Sequence, residues 1–151
     1  MKNLFDATVA NQVKTRLGQL EPQSAGLWGK MTAAQMLAHC SVSMQWAVGE
    51  VVPEKGALPA RLIGRLIKPM VFRNGDPMRK NSPTAKSLIV ADQRDLSNER
   101  DWLSGLIDRF TVGGAAECTR HPHSFFGSMT PEEWAILMYK HLDHHLRQFG
   151  V

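Results

Sequence analysis

The chain has 151 residues, 43% of them hydrophobic and 21% charged, with a net charge of +4 and two cysteines. That length allows one sizeable core rather than two ordinary domains, and the balance of residue types excludes disordered and fibrous classes. No apolar run approaches the roughly 20 residues that a spanning helix requires, and Met1 to Asp6 leads into a polar helical pattern without the apolar stretch of a secretory signal.

The expectation is therefore a single domain over residues 1–151, soluble and cytoplasmic. Cys40 and Cys118 are far apart and form no C-x-x-C pair, which fits reduced thiols. The positive charge is local. Between Glu54 and Lys86 lie eight basic residues against two acidic ones, Glu54 and Asp76.

A first helix is predicted from the cap residue Asp6 to about Leu20, because Val9, Val13, Leu17 and Leu20 recur at helical spacing. The second starts at Thr32, where Gln35 three residues on completes a capping box, and runs to about Val48 before Gly49. Residues 50–91 are broken by five prolines and three glycines and read as a long connection with at most one short helix near Arg61 to Lys68. A third helix is expected from about Asp92 to Phe110, closed by Gly113-Gly114. The fourth begins after Thr130, with Pro131 at its first position and Glu133 completing a second capping box, and continues nearly to Phe149. Together these describe an all-α four-helix bundle with a long crossover between helices 2 and 3, an architecture that places metal sites on facing helices in its core.

On a helical wheel the fourth helix carries Trp134, Leu137, Met138, His141, His145, Gln148 and Phe149 on one face. His141 and His145 thus point inward one turn apart, where two imidazoles can meet on one ion. Glu132, Lys140, Asp143 and Arg147 fall on the opposite side, and His144 at the edge of the apolar face. On the second helix His39 shares a mostly apolar face with Met36, Val42, Ser43 and Trp46, where an unpartnered ring would carry a desolvation cost. A third ligand position removes that cost. Three neutral histidines on a divalent ion leave a coordination position open, as in catalytic zinc. The alternatives are a chance pair of histidines four apart and a core histidine bonded to a carbonyl. The spacing is not H-E-x-x-H, so a protease with a built-in glutamate base is not supported.

The segments Trp28-Gly29-Lys30-Met31-Thr32-Ala33-Ala34-Gln35-Met36-Leu37-Ala38-His39-Cys40, Met129-Thr130-Pro131-Glu132-Glu133-Trp134 and His141-Leu142-Asp143-His144-His145-Leu146-Arg147-Gln148 resemble the DinB-like (YfiT-type) metal-binding superfamily, in a branch known as a domain of unknown function. The likeness covers nearly the whole chain. It implies a four-helix bundle, usually dimeric, with its metal on residues that correspond to His39, His141 and His145. Zinc is the first expectation and nickel the alternative, since imidazole suits several metals. The resemblance further implies a thiol S-transferase or hydrolase type of enzyme. In it the ion activates a low-molecular-weight thiol or a water for attack on a small electrophile. The rival is a non-catalytic metal-binding or stress-associated dimeric bundle.

Residues expected around the pocket are His144, Gln148, Glu99, Trp46 and His123. Glu99 lies on the apolar side of the third helix, where it would either orient a ligand histidine or pair with an arginine. Cys40 reads as a small core residue. The basic 54–86 segment reads as a solvated connection. With Phe72 as its sole aromatic residue it does not suit nucleic acid, and neither nucleic acid nor membrane is expected as a partner.

Overall fold

The computed structural model describes residues 1–151. It is all-helical, with α1 (Ala7–Leu17), α2 (Ala33–Ala47), α3 (Leu58–Arg73), a single 3-10 turn at Lys86–Leu88, α4 (Leu96–Glu117) and α5 (Pro131–Gln148). There is no strand. His123 and Gly127 make one isolated antiparallel bridge.

The helix starts follow local chemistry. The Asp6 carboxylate accepts from the N–H groups of Thr8 and Val9, and Asp95 accepts from Asn98. Thr32 and Thr130 form capping boxes with Gln35 and Glu133, so both helices that carry histidines have fixed entry points. Several boundaries differ from the sequence reading, α1 ending at Leu17 rather than about Leu20 and α4 starting at Leu96, behind its cap Asp95, rather than at about Asp92. Gly113-Gly114 does not close α4. The helix bends at Gly114, whose φ of 55° only glycine adopts readily, and resumes to Glu117. The long connection holds more than a short helix, since α3 runs for 16 residues with Pro59 in its first turn and Pro69 inside. Pro59 removes only an N–H that has no partner in the first turn, whereas Pro69 removes one bond within the helix, which its packing on α5 offsets.

α2 lies between α4 and α5, α1 packs on α4 and α5, and α3 rests on α5. Trp46, Trp134, Leu37, Met44, Leu103 and Ile107 are buried where these faces meet. Burial of such large apolar side chains is the main favourable term, about 1.5–3 kcal/mol for each aliphatic one. The leader joins the core too: Leu4 is fully buried, its N–H donating to Ala135 O at 3.2 Å and its carbonyl accepting from Thr111 Oγ1 at 2.8 Å.

The far side of α5 is not the solvent face that its charges suggest. Lys140 and Asp143 are 8% and 7% exposed. Lys140 Nζ donates to the carbonyls of Val71 and Asn74, both at 2.8 Å, and so satisfies groups that the end of α3 leaves unpaired. Asp143 accepts from Arg16 and Arg147, each at 2.7 Å, and ties α1 to α5. At Gly64 the α3 backbone lies directly on the carbonyl of Phe125, and any Cβ there would collide with it. α3 is thereby seated flat on the 123–127 turn.

Candidate metal centre

Where α2 faces the C-terminal half of α5, the core changes from aliphatic to imidazole. His39, His141 and His145 each offer a ring nitrogen, all within 4.8 Å of one another. His39 Nε2 is 2.9 Å from His141 Nε2, which is 3.2 Å from His145 Nε2. Spacings of this size suit nitrogens bound about 2.0–2.1 Å from one ion.

The other side of each ring fixes where its proton sits. His39 Nδ1 is 2.8 Å from the carbonyl of Leu88, which can only accept, so Nδ1 carries the hydrogen. His145 Nδ1 donates to Gln148 Oε1 at 2.8 Å. The Gln148 amide is held in that orientation because its Nε2 donates to Trp28 O at 2.6 Å. Ser43 Oγ donates to Cys40 O at 2.8 Å, which leaves it to accept from His141 Nδ1 at 3.0 Å. All three Nδ1–H groups are thus used outward. In neutral rings the three Nε2 atoms then face one another as lone pairs, with no hydrogen among them.

A proton would be the cheapest filler, and burial opposes it. Desolvation lowers the pKa of His39, despite its bond to Leu88. Desolvation first, and then the neighbouring His145 and His39, hold His141 well below the usual histidine value. Desolvation and His39 bring His145 down to about 3. Three neutral acceptors directed at one point are what a divalent cation requires of its ligands. His39 and His145 are buried and His141 is partly buried.

The other expected residues divide. Gln148 is where the sequence reading places it. His144 donates through Nδ1 to Met78 O at 3.2 Å and lies beside His145 and Trp28, outside the three-nitrogen group. Trp28 in turn carries Lys80 Nζ over its ring at 4.2 Å. Trp46 and His123 sit together one stage further along the α2–α5 seam, 5.9 Å apart by ring centroid, with Trp134 beside His123. His123 Nδ1 accepts from the N–H groups of Phe125 and Phe126, and burial lowers its pKa to about 4. Glu99 is the departure: its carboxylate pairs with Arg94 at 3.1 Å at the start of α4, which is the arginine alternative. Cys40 is a core thiol, raised in pKa by burial, beside Met36.

Sequence reasoning missed the supports that are not side chains of facing helices. The Leu88 carbonyl comes from the crossover, with nothing in its residue type to announce it. Gly29, at φ 81°, leaves space that a Cβ would take from Gln148 Nε2.

The model of the family described as "Protein of unknown function (DUF1569)" matches residues 3–150, and the chain belongs to that family. No curated protein and no solved structure matches the chain.

Proposed function

We propose that this member of the DUF1569 family is a metalloprotein of the DinB-like superfamily, with one divalent ion, zinc before nickel, held by His39, His141 and His145. What carries the reading is the outward use of all three Nδ1–H groups, which leaves three Nε2 lone pairs facing one another where burial resists protonation. The same reading takes α1, α2, α4 and α5 as a four-helix bundle and α3 as an addition within its crossover.

When bound, such an ion would lower the pKa of a thiol or water toward neutrality, which suits attack on a small electrophilic substrate of the S-transferase or hydrolase type. The chain's own contribution is positional. Leu88 O and Gln148 hold His39 and His145, and Ser43 fixes the proton of His141. A second reading, a metal-binding protein without catalysis, keeps the same three ligands and draws on the burial of two of them, His39 and His145.

Elemental analysis of protein purified without a histidine tag or added metal tests the centre. The expected result is one equivalent of a transition metal, lost in the His141→Ala, His145→Ala double variant. Metal content unchanged in that variant removes the proposal. Turnover of an electrophile with a low-molecular-weight thiol, abolished by chelator and by His39→Ala, separates the enzyme from the non-catalytic reading.

A further inference from the structure

α3 is apolar on its outer side as well as on the side that packs. Its inner side is seated on α5 and the 123–127 turn through Gly64, Ile67 and Val71, while its outer side is apolar along about three turns. Leu58, Leu62, Leu66 and Met70 follow one another at intervals of four and are 66%, 58%, 81% and 60% exposed, with Ile63 beside them at 56%. A stripe of this length is uncommon on a free surface and marks a place where something apolar docks. The helix cannot turn the stripe inward, because only Gly64 fits against Phe125 and Lys140 fixes the helix end.

The charges around the stripe select the occupant. Lys55, Arg61, Arg65 and Arg73 border it or its ends, and none makes an ion pair with a carboxylate. Of the cations within the helix only Lys68 is neutralised, by Glu133 at 2.8 Å. Two copies meeting through antiparallel α3 helices about the middle of the stripe would bring the Arg61 and Arg65 flank of one onto the same flank of the other, a like-charge contact. An anionic lipid surface answers both features at once, since the apolar stripe enters the headgroup boundary while the arginines meet lipid phosphates. At 16 residues the helix is about 24 Å long, short of the hydrocarbon thickness of roughly 30 Å. No helix in the chain is long and apolar enough to cross a membrane.

We infer that α3 is an in-plane membrane-docking helix, which attaches the protein reversibly to anionic bilayers through Leu58, Leu62, Ile63, Leu66 and Met70 and the flanking arginines. This is the opposite of the partner expected from composition, because composition does not reveal which side of α3 faces out.

The test is sedimentation of the full chain with vesicles of phosphatidylcholine alone and of phosphatidylcholine with phosphatidylglycerol. Binding should require phosphatidylglycerol, weaken with added salt, and fall about tenfold or more in the Leu62→Glu, Leu66→Glu variant. Arg61→Gln with Arg65→Gln should weaken it too while leaving the apolar stripe intact. Both variants change exposed or half-exposed positions, and circular dichroism checks that they fold. Failure to bind phosphatidylglycerol vesicles overturns the inference, as does binding that neither variant alters. Self-association that Leu62→Glu, Leu66→Glu abolishes, without vesicle binding, assigns the stripe to a second copy instead.

Discussion

The α2–α5 seam and the outer face of α3 break the usual partition of residues in opposite directions. In the seam, imidazoles and an amide are buried, and every Nδ1 has a partner while the Nε2 atoms have only one another. On α3, three leucines are more than half exposed. A buried polar group without a counterpart is costly and local, so it points to a small charged ligand. An exposed apolar stripe carries a smaller cost spread over a long surface, so it points to an extended one. The two regions teach that an unpaired group indicates the size and chemistry of what it lacks.

Acid should break the seam first and with the largest effect. Five histidines, His39, His123, His141, His144 and His145, have folded pKa values lowered chiefly by burial, His123 to about 4 and His145 to about 3. Unfolded, each titrates near about 6.5, so below that value the unfolded chain takes up protons that the folded one refuses. Stability in chelator is therefore full above about pH 6.5 and is lost as the pH falls toward 4, by about 1.4 kcal/mol per pH unit for each fully shielded histidine. Urea midpoints measured across that window should drop steeply; a flat profile would mean that the rings are hydrated.

Zinc is the next probe. At roughly a thousandfold excess over Kd it should stabilise the native chain by about 4 kcal/mol, and the His141→Ala, His145→Ala variant should lose that increment in thermal melts. Gln148→Ala sharpens the point more gently. It leaves three nitrogens in place but frees His145 Nδ1–H, and competition with a chelating dye should show a loss of about 10- to 100-fold in affinity. Smallest of all is Leu66→Glu, expected to shift the urea midpoint by less than the equivalent of about 0.5 kcal/mol, because the side chain touches little of its own protein. A larger drop would show that the stripe is packed in the isolated chain, and the contrast between the regions would fail.

Much of the centre was legible because helix phase is a local property. The 3.6-residue period sets His141 and His145 on one side of α5, and two capping boxes fix where α2 and α5 begin. His39 was less certain from its own face, since a lone inward histidine bonded to a carbonyl fits the same pattern, and His39 does bond one, at Leu88. The burial of Lys140 and Asp143 escaped the wheel because each is compensated from afar, by the carbonyls of α3 and by Arg16 of α1. A wheel ranks side chains by polarity and cannot register a distant partner.

By itself, then, the sequence determined the helical class, the caps of α1, α2 and α5 and the angular placement of the histidines, all of which follow from spacing along one chain. Tertiary structure alone decided which nitrogen of each ring is free, since Leu88, Gln148 and Ser43 reach the rings from separate segments. It also decided which side of α3 is covered. That helix carries apolar residues on nearly every side, and the absence of a Cβ at Gly64, pressed against Phe125, selects the face that turns inward. Close packing between segments remote in sequence is the reason in both cases.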